Sequence, residues 1–291
     1  MTPRPRDYAL LVALAACWGS NYFAIKLAVD EIPPATLTLG RLAAAAAVLL
    51  VVQKAKRLDW PTEPATWALL AVLAVTANAV PFLLIAWAQL YVDTGLTAIL
   101  IAAAPLFTLG LAQFFTQDEK LTPWRAGGVS LGFVGIVVLI GVEALGGLGQ
   151  NLWAQLALLG AAASYGVNAI VARRLPALPP VTISLAVTVI AGVIMFPAAV
   201  AIDGLAVPAA SLGSILAMLW LGAVSTALAL LIYFVIVASA GATFVIMANY
   251  LVPFLALGLG GIFLGEEPTW NALAALLLIL VGVGLTGRGR S

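Results

Sequence analysis

Histidine does not occur anywhere in the chain. Its absence removes the commonest metal ligand and the side chain that most often carries protons near neutral pH. A lone cysteine, Cys17, excludes an intramolecular disulfide. Charge is scarce as well: 9% of the residues are Asp, Glu, Lys or Arg, against 64% hydrophobic, and the mean hydropathy is +1.14. That balance excludes a soluble globular domain. Walker-type phosphate loops are missing, so ATP does not drive the protein directly. No metal cluster, carboxylate pair or nucleophile with a base beside it can be read, so neither an enzyme nor a cofactor or metal is expected. The net charge of +1 says nothing about partners; nucleic acid is not expected.

What the chain has instead is long apolar runs. Crossing a hydrocarbon core of roughly 30 Å takes about 20 helical residues. The runs do not alternate in polarity, which favours helices over a barrel. Ten spans are expected, at about 8–29, 35–53, 66–88, 93–115, 124–142, 152–174, 181–202, 212–236, 241–263 and 269–287. The first is too long for a signal-peptide core and reads as a retained span. Joints are short, among them Pro33-Pro34 and Glu266-Glu267-Pro268. Trp60, Trp67, Trp124, Trp153 and Trp270 near span ends read as interface anchors.

Orientation follows from the basic residues. With the N-terminus inside, Arg4, Arg6, Lys54, Lys56, Arg57, Lys120, Arg125, Arg173, Arg174, Arg288 and Arg290 are all cytoplasmic. The outer loops then carry only acids: Asp30, Glu31, Asp93, Glu143, Asp203, Glu266 and Glu267.

The chain also repeats itself. Ala15, Ala16, Gly19 and Asn21 recur as Ala162, Ala163, Gly166 and Asn168, with Trp18 answered by Tyr165. Pro34-Ala35-Thr36-Leu37-Thr38-Leu39 is echoed by Pro180-Val181-Thr182-Ile183-Ser184-Leu185. Pro105 and Pro253 stand in the fourth and ninth spans, followed by Glu119 with Thr122 and by Glu266 with Thr269. Val134-Gly135-Ile136-Val137 has its counterpart in Val281-Gly282-Val283-Gly284. An odd number of helices per copy inverts the second copy in the membrane. The expected fold is an all-α membrane protein: ten transmembrane helices as two inverted five-helix repeats, 1–146 and 147–291, with N and C termini cytoplasmic.

An aromatic-Gly-x-Asn in each first helix, a proline in each fourth and an acid-x-x-Thr before each last helix resemble the EamA family of the drug/metabolite transporter superfamily. The resemblance covers nearly the whole chain and is greatest to bacterial amino-acid and metabolite exporters, including the aromatic amino-acid exporter type. It implies a ten-helix carrier in the bacterial inner membrane that moves small metabolites by alternating access, with the lipid bilayer and a small-molecule substrate as partners. Small-residue spacings such as Gly128-x-x-x-Gly132 and Gly261-x-x-x-Gly265 suit internal packing, and leave a monomer or weak dimer.

Candidate lining residues are those polar or aromatic where lipid contact would ask for neither. On the first span Trp18, Asn21, Tyr22 and Lys26 share one face at about 100° per residue, and Tyr165 and Asn168 repeat it on the sixth. Asn78, Tyr233, Asn249 and Tyr250 complete the set; helix–helix packing is the competing account for each. Pro81, Pro105 and Pro253 read as hinges, each costing a helical hydrogen bond. Trp87, Gln89, Thr97, Ser225 and Thr243 are further polar or large side chains, with Gln89 and Thr97 near enough to the outer surface to be solvated. Lys26, four residues before Asp30, is also explained by an ion pair or by snorkelling. Arg41 is the other charge inside a span, and either cation suits a substrate carboxylate; Lys26 enters the candidate site and Arg41 does not. No acid stands near a mid-span, so facilitated export fits better than proton coupling. Rival readings are a carrier for nucleotide-sugars, sugar phosphates or lipophilic cations, and a non-transporting membrane scaffold.

Overall fold

The computed structural model describes residues 4–115, 123–140, 150–205, 210–245 and 247–288. Every regular element among them is helical. Helix α1 is Pro5–Val29 and α2 is Pro34–Lys56. The third apolar stretch is not one helix: α3 (Pro64–Leu73) and α4 (Val80–Ala88) are joined by a π-helical turn, Ala74–Ala79. The fourth breaks at Ala102 and Ala103 into α5 (Thr94–Ile101) and α6 (Ala104–Phe115). Then come α7 (Pro123–Ile140), α8 (Gln150–Ala172) and α9 (Pro180–Asp203). A second π-helical turn, Ala223–Leu228, joins α10 (Leu212–Gly222) to α11 (Ala229–Ala240). A short α12 (Ala242–Val245) precedes α13 (Ala248–Leu259), which runs on into a third π-helical turn, Gly260–Leu264. The last helix is α14 (Trp270–Arg288). Proline stands at the first position of α2, α3 and α9, where its fixed φ suits the helix and its missing N–H has no helical partner to lose.

Seven stretches are long and apolar enough to cross a bilayer, and Ala126–Val138, Ala248–Leu264 and Trp270–Leu285 are shorter apolar helices. The protein is therefore an all-helical, multi-pass membrane protein. Trp60, Trp67, Trp124, Trp153 and Trp270 are all exposed, near the ends of these stretches. Of the positions singled out in the sequence, Glu119, Lys120, Thr122, Glu143, Arg290 and the boundary between 146 and 147 lie outside the described residues, as do the side chains of Arg125, Thr243 and Arg288.

The closest packing joins early helices to late ones. The pairs α7 with α14 and α2 with α9 lead, followed by α1 with α13, α6 with α8, α4 with α8, and α1 with α10. Core clusters are shared accordingly: Leu42, Leu70 and Leu73 pack with Val187, Ala191 and Met195. Gly19 and Gly166 are the points of closest approach. A Cβ on Gly19 would lie 2.6 Å from the Leu255 Cβ of α13, and one on Gly166 3.0 Å from the Thr108 nitrogen of α6. Gly282 of α14 sits against the backbone of Gly128 and Gly132, so that small-residue spacing is used within the chain.

The acids expected in the outer loops have a specific occupation. Glu266 accepts from the backbone N–H groups of Thr94 (2.9 Å) and Gly95 (3.3 Å) at the start of α5. Asp203 accepts from the Thr36 N–H at 2.7 Å in the first turn of α2. Glu31 accepts from the Ser211 N–H at 2.6 Å just before α10. Each carboxylate meets the partial positive charge and orphan donors of a helix N-terminus, and each lies more than 160 residues from the helix it caps.

Two outcomes are expected from these contacts. A methyl group at Gly222 would stand 2.5 Å from both the Ala44 Cβ and the Arg41 carbonyl oxygen. Gly222→Ala should therefore cost about 1–3 kcal/mol, seen as a lower thermal midpoint in detergent. Gly110→Ala, whose added carbon meets nothing within 4 Å, should keep the midpoint or raise it; equal behaviour of the two variants would show the α2–α10 seam to be looser than described. The Ser211 backbone N–H, with the Ser211 and Ser214 hydroxyls, holds the Glu31 carboxyl below its usual range. A depressed pKa contributes stability that is complete above the unfolded value, near about 4.3, and is lost as pH falls through the lower folded value. Wild type and Glu31→Gln should thus differ in midpoint at neutral pH and converge in acid; a constant difference across that range would refute the cap.

Candidate functional site

Seven residues into α2, roughly 10 Å below its N-terminal end at 1.5 Å per residue, stands Arg41. It is 6% exposed. Its Nε donates to Thr226 Oγ1 at 2.9 Å, and its guanidinium lies 3.6 Å over the centre of the Phe82 ring. Tyr22 of α1 and Tyr165 of α8 stand nearby, within range of its charge. Four other segments thus converge on one cation: α1, α4, α8 and the π-helical turn after α10. No carboxylate pairs with it among the described residues. A charge so placed is costly in hydrocarbon and ordinarily has a functional use.

The π-helical turns supply much of the polar chemistry around it. Such a turn loosens the regular ladder and leaves carbonyls in need of donors. Thr226 Oγ1 donates to the Leu221 carbonyl at 2.8 Å while accepting from Arg41. In the earlier π-helical turn the Thr76 carbonyl accepts from Ser164 Oγ of α8 at 2.9 Å. Asn78, in the same turn, reaches Thr188 Oγ1 of α9 at 3.4 Å. Ser225 Oγ and Asn21 Oδ1 are buried without a hydrogen-bond partner.

The residues singled out in the sequence are distributed unevenly. Tyr22 and Tyr165 come together around Arg41. Trp18, half-buried, packs against Tyr233 with ring centres 6.2 Å apart. Asn21 and Asn78 are buried, Asn168 and Tyr250 half-buried, and Asn249 exposed. The Lys26 ammonium donates to the Gln89 carbonyl at 2.8 Å, closing the end of α4, and Gln89 Nε2 returns a bond to the Tyr22 carbonyl at 3.1 Å. Gln89 and Thr97 are fully buried and not solvated; the Thr97 hydroxyl bonds the Asp93 carbonyl at 2.9 Å. Pro81 is the second residue of α4 after the first π-helical turn, and Pro105 is the second residue of α6 after the break. Pro253 lies inside an unbroken α13, with the break upstream of it, before Ala248.

Arg41, left outside the expected site, is the residue on which several helices converge. Its signal in the sequence was a full charge inside a span. Thr226, Phe82 and Thr188 carried no such signal, because a threonine or phenylalanine in a span is ordinary. A separate groove of about 570 Å³ runs between α4 and α8, lined by Leu84, Trp87, Tyr91, Trp153, Leu156, Ala157 and Gly160. Tyr91, Trp153 and Leu156 are exposed, which puts the groove on the perimeter of the bundle; Arg41 and Tyr22 are enclosed.

Thr226→Val removes the acceptor for Arg41 and the donor for the Leu221 carbonyl together. The variant should lose about 1–3 kcal/mol of stability, and Thr226→Ser should restore most of it. Equal midpoints for Val and Ser would show that the hydroxyl bonds contribute nothing.

Two stretches of the chain, 6–141 and 152–288, each match the EamA-like transporter family. The uncharacterized inner membrane transporter YedA of Escherichia coli K12 is 27% identical over 285 residues, covering 96% of this chain and 90% of that protein. A probable terminal-alkyne amino-acid exporter of Streptantibioticus cattleyicolor is 27% identical over 288 residues, covering 96% and 92%. A crystal structure with 16% sequence identity shares the fold, with a TM-score of 0.68 and 98% of both chains covered. With both halves matched, the chain belongs to the EamA-like transporter family.

Proposed function

We propose that the protein is an inner-membrane exporter of small metabolites, amino acids foremost, working by alternating access between two inverted five-helix repeats, 1–146 and 147–291, with both termini cytoplasmic. The observation that carries this reading is the seam. The principal helix pairs join one half to the other, and they recur when the halves are exchanged: α1 with α13 answers α8 with α6, and α1 with α10 and α11 answers α8 with α3 and α4. A seam built of like pairs suits two bodies that rock about a site between them.

In this reading the site lies where side chains of both halves meet. Tyr22, Tyr165, Trp18 and Tyr233 supply aromatic surface, Asn21, Asn78 and Asn168 supply hydrogen bonds, and Tyr250 stands beside them. Lys26 and Asn249 lie farther out, the first by its bond to Gln89 and the second by its exposure. The breaks near Pro81 and Pro105, and the one upstream of Pro253, are where the halves would flex. The name of the Streptantibioticus relative supports amino acids as substrate, and that of YedA supports the inner membrane. No acid stands at mid-depth in any span of the sequence, which favours facilitated diffusion down a gradient.

Purified protein in liposomes loaded with a labelled amino-acid mixture should release label faster than protein-free liposomes, and Asn21→Ala and Asn168→Ala should slow the release. The rate should be the same within about twofold with or without a pH gradient, since no acid stands at mid-span and the chain has no histidine to carry the coupling proton. Release no faster than from empty liposomes sinks the exporter reading. Release that requires the gradient sinks the facilitated one.

A further inference from the structure

We infer that Arg41 is the group that receives the carboxylate of the transported molecule, and that the site is selective for small acids with a single carboxylate. The inference rests on the exporter reading for transport and on the structure alone for binding. Arg41 is more than nine-tenths buried and has one hydrogen bond, from Nε, to a neutral hydroxyl. A guanidinium has five N–H donors in a planar fork that matches a carboxylate. Buried without a counter-charge, it asks for an anion. Beside it lies not an anion but the ring face of Phe82, with two phenols, Tyr22 and Tyr165, within range of its charge. These suit the apolar body of an acid whose charged end meets the guanidinium.

One cation also sets the valence. The register that aligns Pro34 with Pro180, 146 positions apart, aligns Arg41 with Val187, so the second half does not repeat the charge. Lys26, the other cation within a span, has an ammonium bonded to Gln89. The seam therefore has one site for a carboxylate, and a doubly charged phosphate is poorly served. Arg41 holds its Thr226 contact across the two halves, whereas Phe82 belongs to its own half. Rocking the halves apart removes the Thr226 bond, and a substrate carboxylate replaces it while Phe82 stays in place, so the ligand stabilises the step it needs.

The test uses the full chain in liposomes with labelled L-phenylalanine and phenethylamine, which differ by the carboxylate. Wild type should release phenylalanine at least about tenfold faster, the worth of a charge-assisted pair. In R41Q phenylalanine release should fall by about the same factor, with phenethylamine unchanged within about twofold. R41K, which keeps the charge and loses the fork, should fall between, and it stands in for R41Q if that variant does not fold. Unaltered phenylalanine release in R41Q, or an equal fall for both probes, overturns the assignment, the second because it marks a purely structural arginine. If wild type moves neither probe the exporter reading fails, and binding decides Arg41 separately. A thermal midpoint raised by L-phenylalanine but not by phenethylamine, and by neither in R41Q, upholds it. No rise in wild type overturns it.

Discussion

Hydrocarbon offers a polar backbone group nothing to bond, and this chain nevertheless breaks its helices repeatedly inside the apolar stretches. Each interruption has to be repaired by another part of the protein. Several of the bonds that satisfy such groups run from one half to the other. Ser164 answers the Thr76 carbonyl inside the bundle, and at the loops Glu266 answers the start of α5, Asp203 the start of α2 and Glu31 the start of α10. Each half thus depends on the other for some of its backbone partners, and this dependence holds the seam together.

The same dependence explains why a cation is tolerated at depth. Arg41 sits where α2 is squeezed between α9 and α10, with the Gly222 backbone against its own carbonyl. Thr226 serves two masters there, the guanidinium and the Leu221 carbonyl. A polar network of this kind is strong when complete and expensive when one member is missing. Because its members come from several helices, any motion of the halves must rearrange it. That is the property expected of a substrate site in a carrier, as opposed to a structural ion pair confined to one helix.

The aromatic-Gly-x-Asn motif resolves into separate tasks. Its glycines, Gly19 and Gly166, let α1 and α8 come within contact of α13 and α6. Its asparagines differ: Asn21 is buried with an unpaired oxygen, while Asn168 is half-buried. Its aromatics differ too, Tyr165 standing near Arg41 and Trp18 against Tyr233. Like residues in the two stretches thus have unlike surroundings.

Composition and periodicity were enough to read a helical membrane protein, because crossing hydrocarbon demands long apolar runs, and the repeated prolines, glycines and amides carried the resemblance to the family that the two matched stretches show. They also pointed to Tyr22 and Tyr165, since a phenol is conspicuous in a span. They did not point to the π-helical turn at Ala223–Leu228, which has no proline to announce it, nor to the burial of Gln89, whose partners lie 63 and 67 residues away. Lys26 and Arg41 looked alike as charges within spans. Only the folded chain separated them, by giving one a carbonyl at a helix end and leaving the other with a single neutral hydroxyl. Charge and hydropathy are local and readable along a chain, whereas the partner that satisfies a buried group is chosen by which helices pack together.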